Sequence, residues 1–256
     1  MSHTVKDEIT LITGASSGLG AGMAREIAAR GGHLALCARR VDQLQALKAD
    51  ITAAHPACRV EIAALDVTDA AAVAATFADF RARMGRLDRV IINAGIGRGV
   101  PVGKGGWAEN RATLETNLIA AFAQAEAAMA AFRDQNKGHL VVMSSMSAIR
   151  GMRGAMTAYA TSKAAVAAMA EGLRAECLRK PGIDVTTIYA GYIRTELNAH
   201  IPASKTPWII GADKGARLLV DAIARRPATA YVPRWPWAPL GALMRVLPLS
   251  LVSKIT

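Results

Sequence analysis

Tyr159 and Lys163 stand four residues apart, so on a helix they share one face, one turn from each other. A free phenol titrates near pH ~10 and is a poor proton shuttle at neutral pH. An ammonium about 4 Å away contributes roughly 4 kcal/mol at an effective dielectric of about 20. At roughly 1.4 kcal/mol per pH unit, that attraction would bring the phenol towards ~7, desolvation aside. Such a pair is therefore equipped for general acid–base work. On an arbitrary helix it would be no more than two solvated neighbours, so its meaning depends on a companion site.

That companion lies near the start of the chain. Ile9–Thr13 reads as a buried strand and runs straight into Gly14-Ala15-Ser16-Ser17-Gly18-Leu19-Gly20, which opens an Ala-rich helix. Glycines at these spacings allow a tight turn, close approach of backbone to a pyrophosphate, and tight packing of helix on strand. The spacing is GxxxGxG rather than the commoner GxGxxG. The second strand ends at Ala38, followed by Arg39 and Arg40. An acid near this point would accept hydrogen bonds from an adenosine ribose, whereas a guanidinium grips a 2′-phosphate through paired charge-assisted bonds. Ser16 is placed to add a phosphate hydrogen bond, and the reading favours NADP(H).

These residues need a scaffold, and the chain alternates to provide one. Short aliphatic runs occur at Ile9–Thr13, Leu34–Ala38, Val60–Leu65, Val90–Asn93, His139–Ser144, Asp184–Tyr189 and Ala230–Val232. Between them lie helical stretches at Ala21–Arg30, Val41–His55, Ala70–Met84, Arg111–Asn136, Ala158–Leu178 and Asp213–Arg225. Continuous apolar strands alternating with helices predict an α/β fold: a single doubly wound Rossmann-type domain whose seven-stranded parallel sheet is flanked by helices. The domain is expected over residues 1–232. A basic tail rich in Pro, Trp and Leu occupies residues 233–256, where Pro233, Pro236, Pro239 and Pro248 break the alternation.

With its motifs in this order, the sequence resembles the short-chain dehydrogenase/reductase family, over nearly its whole length. Thr13-Gly14-x-x-x-Gly18-x-Gly20 matches the family's TGxxxGxG turn. The resemblance implies that Ser17 and Leu19 join the glycines around the cofactor, and that Asp66 and Val67 contact adenine. Asn93, Ala94 and Gly95 correspond to the turn that supports the sheet beside the cofactor. It further implies that Tyr159 is the catalytic acid–base, that Lys163 also holds the nicotinamide ribose, and that Asn117 holds a water in a proton relay. A family serine aligns the substrate oxygen thirteen residues before the tyrosine, which here falls on Met146. Ser145 is preferred by its place at the strand end, with Ser147 as the alternative. Tyr189-Ala190-Gly191-Tyr192-Ile193-Arg194-Thr195 is similar to the family's PGxxxT segment, with Ala190 in place of proline. There Gly191, Ile193 and Thr195 would meet the nicotinamide and the phosphates. The resemblance also implies homodimers or homotetramers built on the two long Ala-rich helices.

Residues 194–212 should form the substrate lid. Leu197, Ile201, Pro202, Pro207, Trp208, Ile209 and Ile210 make it apolar, which suits a hydrophobic ketone or secondary alcohol better than a sugar. Such a substrate would be a lipid or ketoacyl compound, for instance. The same residues would equally serve to pack on the core or on a neighbouring subunit. Cys37, Cys58 and Cys177 form no CxxC pattern and the five histidines are scattered, so neither a disulfide framework nor a metal centre is expected. Acids near the N-terminus and charges throughout the chain argue against a signal peptide or spanning helix, and a cytoplasmic enzyme is expected. The formal net charge is +11, and residues 201–256 hold eight bases against two acids. Arginines beside Trp235, Trp237 and Leu243 suit peripheral contact with an anionic membrane, or burial of the tail on the core or a neighbour. Two rival functions are weaker. A non-catalytic NADP(H)-binding regulator would have no need of both Tyr159 and Lys163. A nucleic-acid partner is not expected, because the charge is not gathered on a recognition module.

Overall fold

Strands that carry apolar residues on both faces have no wholly polar face to give to water, so both faces must be covered. In the computed structural model, residues 4–179, 182–196 and 208–255 are described. Seven strands, β1 (Ile9–Thr13), β2 (His33–Ala38), β3 (Val60–Ala64), β4 (Arg89–Ile92), β5 (Gly138–Ser145), β6 (Ile183–Ala190) and β7 (Thr229–Val232), form one parallel sheet. Their order is β3-β2-β1-β4-β5-β6-β7, as a doubly wound fold requires. The central β1 and β4 are buried at every residue, whereas the edge strands β3 and β7 are partly exposed.

Alternation along each strand divides the core in two. Ile12, Leu36 and Ile188 meet Met23 and Ile27 of α1 (Gly18–Ala29), Leu44 of α2 (Val41–Ala54) and Leu219 of α7 (Ala212–Ala224) on one face. Leu11, Val90 and Val142 meet Phe77 and Phe80 of α3 (Ala70–Met84), Phe132 of α5 (Ala120–Gln135) and Val166 of α6 (Thr157–Cys177) on the other. Each such side chain, fully buried, contributes about 1.5–3 kcal/mol. α3 keeps the limits expected from sequence because both ends are marked. Asp69 accepts a hydrogen bond from the Ala72 amide, and Gly85 closes the helix at φ +90°.

The stretch Arg111–Asn136 does not form one helix. α4 (Trp107–Leu114) passes through a π turn at Glu115–Ile119 before α5 begins. A π turn holds one more residue than an α turn, and such turns are frequent at functional sites. Here it carries Asn117.

The tail forms two short helices, α8 (Trp237–Val246) and α9 (Leu249–Ile255), with Pro248 between them. Trp237, Gly241 and Met244 recur along one face of α8 and are buried, and Trp237 packs with Met146 and Tyr189. Arg150 secures the helix end, its Nη1 donating to the carbonyls of Met244 (2.8 Å) and Leu247 (2.9 Å).

At the end of the sheet where the strands begin, Arg89 is fully buried. Its Nη2 lies 2.7 Å from Glu8 Oε2, and Arg226 Nη2 lies 2.6 Å from Glu8 Oε1. Arg89 Nε donates to His139 Nδ1 at 2.9 Å. That bond leaves the proton of the neutral imidazole on Nε2, facing Thr186 Oγ1 at 2.8 Å, and the Thr186 hydroxyl donates onward to the Pro227 carbonyl. At the other end, the chain leaves β1 and β4 in opposite directions, and this reversal opens a crevice beyond their carboxyl ends.

Candidate active site

The crevice holds a cleft of about 430 Å³. Gly14, Ser16, Ser17, Gly18 and Leu19 form its floor, where β1 turns into α1. Gly14 and Gly18 have φ of +64° and +55°, values that side chains on L residues disfavour. A Cβ on Gly14 would come within 2.8 Å of Ala94 Cα, and one on Gly20 within 2.5 Å of the Gly14 carbonyl oxygen. Gly20 therefore packs beneath the turn rather than lining the cleft. Thr13 ties the turn to the end of β4, its hydroxyl oxygen accepting from the amides of Asn93 and Ala94, both at 3.1 Å. The Asn93 side chain returns the tie by donating to the Thr13 carbonyl at 2.9 Å.

One end of the cleft is basic. Ala38, Arg39, Arg40, Asp66 and Val67 line it. Arg40 Nη2 donates to Ser16 Oγ at 3.2 Å and to Ser17 Oγ, while Nη1 lies 3.6 Å from Glu196 Oε2. Asp66 Oδ1 accepts from the backbone and hydroxyl of Thr68. These bonds hold its carboxyl below the usual range, with partial burial opposing and Arg39 assisting.

At the other end stand Tyr159 and Lys163, with Asn93, Ala94 and Gly95 between. Lys163 is buried, and its Nζ donates to the Met143 carbonyl at 2.9 Å. Burial pushes its ammonium down to about 8. Nζ is 5.8 Å from the centre of the Tyr159 ring. The Tyr159 phenol is displaced upward by burial, partly offset by its hydrogen bond with Ser145. The shift anticipated from the i, i+4 spacing ran the other way. Desolvation of the buried phenol is the larger effect, and the Lys163 ammonium is engaged by the Met143 carbonyl.

Ser145 Oγ is a junction. It pairs with Tyr159 and accepts from the amide (3.2 Å) and hydroxyl (3.0 Å) of Ser147, so Ser147 stands behind Ser145. Ser144 instead donates to the Lys163 carbonyl at 2.8 Å, fastening α6 to β5. Asn117 is buried behind Gly95. Its Oδ1 accepts from the Ile96 amide and its Nδ2 donates to the Ile96 carbonyl, both at 2.8 Å, with a further bond to Ser162 Oγ at 3.2 Å. The π turn gives Asn117 this reach.

Of the sequence candidates, Thr195 also lines the cleft, whereas Gly20, Asn117, Ser145, Gly191 and Ile193 lie outside its wall. Ile193 is buried and bridges to Ile210. Gly191 lies under Trp237, and a Cβ there would fall 2.3 Å from the indole nitrogen. Leu197, Ile201, Pro202 and Pro207 of the expected lid fall outside the described residues. The wall also includes Leu65, Ile96, Thr116, Met143, Ala190 and Glu196, which sequence reasoning did not select. Leu65 and Ala190 sit at or just past strand ends, and for these two that position was the available signal.

Known proteins share this sequence pattern and fold. A family model described as short chain dehydrogenase matches residues 8–206. The chain belongs to that family. As a short-chain dehydrogenase it is an oxidoreductase, and the family implies a nicotinamide dinucleotide, NAD(P)(H). An uncharacterized oxidoreductase of Mycobacterium tuberculosis is 48% identical over 244 residues, 95% of each chain. A fatty acyl-CoA reductase of Acinetobacter baylyi is 32% identical over 227 residues, 88% of this chain and 76% of that protein. The crystal structure of a short-chain type dehydrogenase/reductase from Mycobacterium marinum superposes with a TM-score of 0.80 at 26% identity, covering 90% of this chain and 96% of that one. The residues present fit a dinucleotide. Gly14 has no room for a side chain against Ala94, Gly18 holds a positive φ, and the cleft leads from the Arg40 cluster to the Tyr159–Lys163 pair.

Proposed function

We propose that this short-chain dehydrogenase transfers hydride between NADP(H) and a hydrophobic ketone or its secondary alcohol. The observation that carries the reading is the union in one cleft of Tyr159, hydrogen-bonded to Ser145 beside buried Lys163, with the Arg40–Ser16–Ser17 cluster. Arg39 and Arg40 would hold the 2′-phosphate, Ala38 leaves no carboxylate to repel it, and Asp66 and Val67 would border the adenine. The dinucleotide, when bound, supplies the hydride in reduction and accepts it in oxidation. Tyr159 donates its phenolic proton to the carbonyl oxygen. Burial favours the protonated phenol, the form that reduction requires. Ser145 holds the same oxygen, and its bonds from Ser147 fix its orientation, which supports Ser145 over Ser147 in this role. Lys163 sets the electrostatics beneath the phenol, and Asn117 holds the Gly95–Ile96 turn in place.

A hydrophobic substrate is supported by the apolar residues within 194–212, Trp208 among them, and by the relative named as a fatty acyl-CoA reductase. Exposed Trp107, Ile119 and Phe122, along α4, the π turn and α5, support pairing of this stretch between copies. The test uses long-chain ketones and ketoacyl thioesters with each reduced cofactor. Tyr159→Phe should lose turnover by about 10²–10⁴-fold, the range for a general acid, while binding NADPH as the parent does. Arg39→Ala with Arg40→Ala should weaken NADPH far more than NADH. Turnover retained by Tyr159→Phe would remove Tyr159 as the acid, and equal loss of both cofactors would remove the 2′-phosphate assignment.

A further inference from the structure

A surface helix ordinarily turns one apolar stripe to the core and a polar one to water. α8 does not. Its buried stripe is Trp237, Gly241 and Met244, and its opposite stripe, Pro239, Ala242, Leu243 and Val246, is exposed and also apolar. Val246 is 78% exposed. Trp235 on one side, and Leu249 and Leu251 on the other, extend the patch. The patch is held facing outward, because Trp237 packs on Gly191, Arg150 grips the end of α8, and Val252 anchors α9 in the interior. Within the tail itself the charge has one sign. From Tyr231 to Thr256 the sequence contains Arg234, Arg245 and Lys254 and no aspartate or glutamate.

We infer that α8 and α9 form a docking face for an anionic lipid surface. Apolar side chains and an exposed tryptophan enter the headgroup boundary, while the bases meet the lipid phosphates. A second copy is the less suitable occupant. A two-fold axis through this face would bring Arg234 and Arg245 of each copy together, with no acid in the segment to answer them and a formal net charge of +11 on each chain. The tail lies beside the Gly191 loop, so docking would set that side of the molecule against the bilayer. The inference does not depend on the reading of the cleft, since binding is measured without turnover.

The full chain is sedimented with sucrose-loaded vesicles of phosphatidylcholine, with and without phosphatidylglycerol. It should pellet with the anionic vesicles and be released by high salt, which screens the charges. Leu243→Glu with Val246→Glu should lower the partition by at least about tenfold, as should Arg234→Glu with Arg245→Glu. These side chains are exposed, so circular dichroism and the urea midpoint of each variant should match the parent. A parent chain that stays in the supernatant, or that binds neutral vesicles equally, overturns the proposal. So does a patch variant that changes the sedimentation velocity of a parent that ignores vesicles, because the face would then join copies.

Discussion

The Lys163 ammonium is buried and donates to the Met143 carbonyl, a dipole and not a charge. With burial as the cause, the group moves from its ordinary 10.5 to about 8. Below pH 8 the lysine is charged in both the folded and the unfolded chain, and the fold carries the full cost of burying that charge. Between about 8 and 10.5 the unfolded chain binds the proton more tightly, so this cost is relieved as pH rises. The size of the shift corresponds to about 3 kcal/mol. Lys163→Met should therefore be more stable than the parent at pH 7 by up to about that amount, with the gap closing towards pH ~10 while turnover is lost. Urea unfolding at the two pH values measures it, and a variant less stable at pH 7 would contradict the burial argument. At this scale the residue types and their spacing disclosed which groups gather in the cleft. They did not disclose the sign of the Tyr159 shift, because its burial is set by the elements packed around it and not by its spacing from Lys163.

Elements were legible where local chemistry marks them. The aliphatic runs give β1 to the residue, and Asp69 with Gly85 gives α3. The π turn at Glu115–Ile119 left no local mark, because an Ala-rich helix tolerates one extra residue without disturbing its composition. What selects it is distant in sequence: the amide and carbonyl of Ile96, both satisfied by Asn117. Asn117→Leu would remove both partners, at about 1–3 kcal/mol for each backbone group left unpaired. The expected loss is about 2–6 kcal/mol in urea unfolding, with weakened NADPH binding because Gly95 and Ile96 border the cleft. Unchanged stability would mean that water or a relaxed α turn replaces both bonds.

Across the whole molecule, the two ends of the sheet do different work. One end opens the cleft, and the other closes on Arg89, Glu8, His139, Thr186 and Arg226, drawn from segments far apart in the chain. No pairwise spacing announces that cluster, which is why sequence reasoning passed over it. His139 is held well below its usual value by burial, with Arg89 and Arg226 adding to the effect. Its neutral form is the native one, so the stability it confers is present above pH ~6.5 and is lost as pH falls, at about 1.4 kcal/mol per unit. His139→Gln keeps a polar group there without the titration. The stability of the parent should fall more steeply than that of the variant between pH ~6.5 and ~5, and parallel curves would remove His139 as the cause. The tail was legible as a composition but not as a roof over Gly191, since a proline-rich segment states where helices stop and not what they cover. That roof makes the molecule its own optical gauge. Trp107, Trp208 and Trp235 stand in water, 69%, 58% and 78% exposed, whereas Trp237 is buried edge-on to Tyr192 and Trp208. Its indole N–H has no acceptor among the described residues. One chromophore among four thus looks out from a dry place beside the Gly191 loop, and its emission colour registers whatever arrives there.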